Sequence, residues 1–103
     1  MNREKFFIII IEKEVIMSSF NSKEFHKNLI ETRGVKAWWH YLESTYIIKV
    51  DNIINANHVA KLIQKIAPNK KFFTSEIKFN DFNGWLPNEA WDWISDNTKH
   101  NSA

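Results

Sequence analysis

Cysteine is absent from the 103 residues, so the chain has no disulfide framework, no thiolate zinc site and no cysteine nucleophile, and it fits a reducing cytoplasm. Glycine and proline occur only twice each, and no low-complexity stretch, internal repeat or linker divides the chain. Long apolar runs are also missing. Phe6 to Ile11 spans six residues and stops at Glu12-Lys13-Glu14 without small cleavage-site residues, too short for a membrane span and wrong for a signal peptide. Neither sign of charge dominates: 14 Lys and Arg against 12 Asp and Glu leave a net charge of +2, scattered rather than clustered, so charge alone is a weak argument for nucleic-acid binding.

What the chain does contain is apolar and aromatic surface. A 44% hydrophobic and 15% aromatic content excludes general disorder, and the length predicts one core. The expected organisation is a single domain over residues 1–97 with a frayed tail at 98–103.

The stretch from Trp38 to Val50 organises the rest. Trp38–Leu42 and Thr45–Val50 are rich in aromatic and β-branched residues and are separated by Glu43-Ser44, which predicts a hairpin. Neither turn residue is Gly or Asn, so a two-residue turn and a four-residue loop both remain open. Either one pairs Tyr41 with Tyr46, His40 with Ile47 and Trp39 with Ile48. Trp39, Tyr41, Tyr46, Ile48 and Val50 then form the core face. Trp38, His40, Leu42, Thr45, Ile47 and Lys49 form an open face, too apolar for free water.

Before the hairpin, Lys5–Ile11 is apolar on both alternating faces, as expected of a central strand covered on both sides. Asn21, Glu24 and a Phe20–Phe25 staple signal a helix start, and Gly34 marks its end. After the hairpin, Asn55 caps a second helix whose Val59, Leu62, Ile63 and Ile66 share one face, with Ile54 stapled to Val59 and Pro68 enforcing the stop. Lys71–Asn80 alternates as a strand with one wet face. The order β-α-β-β-α-β predicts an α+β, ferredoxin-like antiparallel sheet with two helices on one face. Pro87 opens a Trp-rich C-terminal helix, and Trp85, Trp91 and Trp93 cannot all face water cheaply. That tail is expected to lie on the open face near Trp38, Leu42 and Ile47, in its own subunit or in a second one.

The blocks Trp38-Trp39-His40-Tyr41-Leu42-Glu43-Ser44-Thr45-Tyr46-Ile47-Ile48-Lys49 and Gly84-Trp85-Leu86-Pro87-Asn88-Glu89-Ala90-Trp91-Asp92-Trp93 resemble small bacterial proteins of the SinR-like group. These are similar in turn to the ferredoxin-like subunit of the CRISPR adaptation complex. The resemblance implies a ferredoxin-like fold over most of the domain and a homodimer. In some members of the CRISPR-adaptation family an Asp at the end of the first strand holds a divalent metal for RNA or DNA cleavage. The matching place here, Ile11-Glu12-Lys13-Glu14, has no Asp, so no catalytic residue is carried over.

Three candidate groups remain. Glu12 and Glu14 alternate at a strand end, where two carboxylates could share magnesium across a dimer axis; the plainer reading is a solvated terminus that stops strand extension. His40 is a proton-transfer candidate if Glu43 or Glu76 approaches it, and otherwise a hydrogen-bonded interface imidazole. His26 and His58 read as surface residues on helices, and His100 belongs to the tail. The third group is the interface set Trp38, His40, Leu42, Ile47, Trp85, Trp91 and Trp93, which suits a subunit contact better than a base-stacking platform. Lys61, Lys65, Lys70 and Lys71 read as a solvated basic edge. The expected function is a cytoplasmic, non-enzymatic, dimeric interaction or regulatory module without cofactor or membrane contact. The alternatives are a magnesium-dependent nuclease and a nucleic-acid-binding antitoxin or defence-associated protein.

Overall fold

The computed structural model describes residues 4–12 and 22–98. Four strands and three helices follow one another as β1 (Glu4–Ile11), α1 (Ser22–Ile30), β2 (Val35–Leu42), β3 (Thr45–Asp51), α2 (Ala56–Ile66), β4 (Phe72–Ile77) and α3 (Asn88–Thr98). The strands form one sheet in the order β2-β3-β1-β4, with every neighbouring pair antiparallel. The two central strands, β1 and β3, carry the least interrupted apolar sequence, because both of their faces are covered.

Alternation along β1 divides its side chains between two cores. Phe7, Ile9 and Ile11 join Tyr46, Ile48 and Val50 of β3 beneath α1 and α2, which contribute Phe25, Leu29, Val59 and Ile63. Phe6 and Ile8 join Ile47 and Trp39 on the opposite face, where Ala90 and Ile94 of α3 pack with Leu86, Trp91 and Trp93 around them. The sheet is thus the middle of three layers. Each fully buried Leu or Ile contributes roughly 1.5–3 kcal/mol.

Local chemistry sets the element ends. Asn55 has extended backbone angles, and its side-chain oxygen accepts the His58 N–H at 3.0 Å; the His58 Nδ1 in return accepts the Asn55 N–H at 3.0 Å. This is a reciprocal cap in which His58 takes the place usually held by Glu or Gln. Past α2, Pro68 and Asn69 sit in the middle of a turn closed by the Lys70 N–H on the Ala67 carbonyl at 3.3 Å. Asn69 takes a φ of 69°, a region that asparagine tolerates better than most residues. Gly34, after α1, has a φ of 100°, so an alanine there is strained although a Cβ would meet no atom within 4 Å. The expected cap at Asn21 and the Phe20 half of the staple lie outside the described residues.

The hairpin closes through Glu43-Ser44 with Leu42 opposite Thr45, but its register departs from strict alternation. Trp38 pairs with Ile48 and Trp39 with Ile47, whereas period-two counting pairs Trp39 with Ile48 and His40 with Ile47. A register shift between Trp39 and Leu42 sets two residues of β2, His40 and Tyr41, against Tyr46 alone. An extra residue of this kind reverses the faces of everything beyond it. Trp39 is therefore buried with Ile47 under α3 instead of joining Ile48 and Val50, and Tyr41 is exposed rather than core. The Trp39 indole N–H donates to the Ala90 carbonyl at 3.3 Å, tying β2 to α3.

The last strand is shorter than Lys71–Asn80, although Phe79 still packs into the second cluster. Helix α3 covers the sheet near Trp39 and Ile47 but not near Trp38 or Leu42. Trp38 lies on the α1 side against His26, and Leu42 stays half exposed.

Candidate interaction surface

Cross-strand register places four residues in one line across the sheet. Leu42 faces Thr45, Thr45 faces Ile10 and Ile10 faces Phe73, so the line runs through β2, β3, β1 and β4 in turn. It shares the face of Ile8 and Ile47, since residues two apart on a strand point the same way. Helix α3 stops short of it. Phe73 is 63% exposed, Leu42 50%, Ile10 45% and the neighbouring Tyr41 40%. A contiguous apolar strip on ordered strands is the usual mark of a contact surface.

The two sheet edges differ. The outer strand β2 is interrupted by register shifts between Val35 and Ala37 and between Trp39 and Leu42, and it carries Lys36. These are devices that discourage another strand from adding. The other outer strand, β4, reads FFTSEI without Lys or Pro and keeps an unbroken register with β1 from Phe6↔Ile77 to Ile11↔Phe72. The strand begins at Phe72, beside Phe73.

Glu12 closes the β1–β4 ladder beyond the last strand residue. Its N–H donates to the Lys71 carbonyl at 2.9 Å, and its carboxylate accepts the Lys71 N–H at 2.9 Å. The carboxylate is thus engaged with backbone. Glu14, its proposed magnesium partner, lies outside the described residues, among which no group of three His, Asp or Glu side chains is placed to hold a metal ion.

His40 belongs to an aromatic cluster between α1 and the hairpin. Its Nδ1 lies 3.0 Å from the Thr45 carbonyl, which can only accept, so Nδ1 carries the proton. The ring stacks flat on Tyr46, with centroids 3.9 Å apart and 3° between planes. The Tyr46 hydroxyl is hydrogen-bonded to His26 Nδ1 at 2.7 Å, and Trp38 packs edge-on against His26 at 4.8 Å. Burial pushes the Tyr46 phenol up to about 12. Glu76, suggested as a partner for His40, sits on β4 at the far edge of the sheet.

The structure therefore divides the expected interface set. Ile47 is buried under α3, and Trp91 and Trp93 pack partly buried beside it, Trp93 edge-on to Phe6 at 6.0 Å. Trp38 and His40 pack beside α1 on the opposite face, while Leu42 stays on the open strip. Trp85 is 99% exposed even though its neighbour Leu86 packs into the second cluster. The chain matches no family model, no curated protein and no solved structure. No helix among the described residues is long and apolar enough to cross a membrane.

Ile10 and Phe73 are the members of the strip that sequence reasoning did not single out, Ile10 because its strand was expected to be covered on both sides and Phe73 because its strand was read only as having one wet face. The available signal was Phe73 itself, a large aromatic on the last strand of the sheet.

Proposed function

We propose that this protein is a ferredoxin-like interaction module of the SinR-like kind, cytoplasmic and without a catalytic centre, that acts as a homodimer. The observation carrying this reading is the open apolar line Leu42–Thr45–Ile10–Phe73 with Tyr41 beside it. The strand order β2-β3-β1-β4, with α1 and α2 on one face, supports the fold. The unprotected β4 edge supports a second copy as partner. A two-fold axis beside β4 lets that strand pair with its twin, bringing the Phe73 and Ile10 of each copy to one shared, self-complementary patch.

Light scattering across a concentration series tests the proposal. The protein is expected to run as a dimer, and Phe73→Glu, a surface change that spares the core, is expected to yield a folded monomer. A native protein that stays monomeric at high concentration, or a Phe73→Glu variant that stays dimeric, refutes it.

A further inference from the structure

Among the asparagines of the chain, Asn83 is the one followed by glycine, in Asn83-Gly84-Trp85. Both residues of the pair are exposed, and residues 82–87 between β4 and α3 take no regular secondary structure. The Gly84 N–H donates to the Oδ1 of Asn83 at 2.8 Å, so the side-chain carbonyl is folded back onto the next peptide nitrogen. A carbonyl carbon lies about 1.2 Å from its oxygen, which holds Asn83 Cγ close to that nitrogen as well. Asn28, Asn57 and Asn97 instead sit within helices, and the Asn55 Oδ1 is taken by the His58 N–H. The backbone does not demand glycine at 84. Its φ lies outside the left-handed region, and a Cβ there would meet Leu86 and Trp91 only at ordinary contact distances of 3.9–4.0 Å. What glycine supplies is a peptide nitrogen with no side chain shielding it.

We propose that Asn83 is a site of spontaneous deamidation and isoaspartate formation in the folded protein. The Gly84 amide gives up its proton, its nitrogen bonds to Asn83 Cγ, and the Cγ–Nδ2 bond breaks. Nδ2 takes a proton and leaves as ammonia, and the product is a five-membered cyclic imide. Water then opens the ring. Its attack at Cγ yields aspartate, whereas attack at the Asn83 main-chain carbonyl yields isoaspartate, whose chain runs through the side chain and is one carbon longer. Either product lowers the net charge of +2 by one. The added carbon falls between two anchors: Phe82 packs edge-on to Phe79 at 5.2 Å and lies 6.4 Å from Trp91, while Leu86 joins the cluster beneath α3. A longer link between them loosens the docking of α3. The reaction needs no second subunit, so it stands apart from the dimer reading.

The test incubates the native full-length protein at neutral and mildly alkaline pH beside a sample in guanidinium chloride, and reads digests by mass spectrometry that separates isoaspartyl from aspartyl peptides. Conversion is expected at Asn83 ahead of every other asparagine, faster at the higher pH, and no slower in the native protein than in the unfolded one. Gly84→Ala, for which the loop has room, is expected to slow it at least about tenfold by shielding the nitrogen. The purified isoaspartyl form is expected to lose amide protection across Ala90–Ile94 relative to fresh protein. Native Asn83 left intact after the unfolded sample has converted, or a Gly84→Ala variant reacting as fast as the native chain, overturns the proposal. Unchanged protection in the isoaspartyl form overturns the effect on α3.

Discussion

Truncating the two neighbouring tryptophans of β2 separately measures the register shift. Trp39 is buried, packs with Ala90 and Ile94 of α3 and donates its indole N–H to the Ala90 carbonyl. Trp39→Ala therefore removes a large side chain from a packed site and a link to the helix, at about 3–5 kcal/mol. For a domain of this size that lowers the melting temperature by on the order of 20 °C, a large part of the total stability. Trp38 is partly exposed, pairs with Ile48 and leans on His26, so Trp38→Ala is expected to cost about 1–2 kcal/mol. Thermal or urea unfolding supplies both numbers, and hydrogen exchange shows where each loss falls. In Trp39→Ala the amides of Ala90–Thr98 should lose protection before those of α1 and α2 do. If Trp38→Ala costs as much as Trp39→Ala, or if α3 keeps its protection without Trp39, the shifted register is wrong.

Asn55→Ala removes the acceptor for the His58 N–H and is expected to cost about 1 kcal/mol in chemical denaturation, with fraying confined to the first turn of α2. Tyr46 has a folded-state pKa of about 12 against an ordinary 10, because burial penalises the phenolate. The unfolded chain thus ionises first, and the associated stability is complete below pH 10 and lost as pH rises toward 12. Tyr46→Phe should remove that alkaline loss in pH-dependent melting while forfeiting the bond to His26. The Lys36 ammonium, with Lys49 beyond it, holds the Glu4 carboxyl below its ordinary 4.5, so this contribution is present above that value and fades as pH falls beneath it. Glu4→Gln should flatten the acid limb of the stability profile slightly, since the group is partly solvent-screened.

Where one residue's neighbours in sequence are also its neighbours in space, the fold was legible. The unalternating Lys5–Ile11 announced a strand covered on both sides, and Asn55 with Val59, Leu62, Ile63 and Ile66 announced a capped amphipathic helix. The β2 register was not legible, because nothing between Lys36 and Leu42 marks an inserted residue. What favours the insertion is the burial of Trp39 against Ala90 of α3, 51 residues away in sequence. The open strip escaped for the same reason. Ile10 and Phe73 look like core residues until α3 is seen to cover only the part of the face around Phe6, Trp39 and Ile47. His58 is exposed, as read, but its capping role escaped because it uses a ring nitrogen where Glu or Gln is expected.

Helix α3 follows all four strands in the chain, and this has a consequence for synthesis. While the polypeptide leaves the ribosome, the sheet and its first two helices can assemble before the last helix is available, leaving Phe6, Ile8, Trp39 and Ile47 bare to the cell. During that interval the nascent chain presents an aromatic surface of the kind chaperones hold and aggregates recruit.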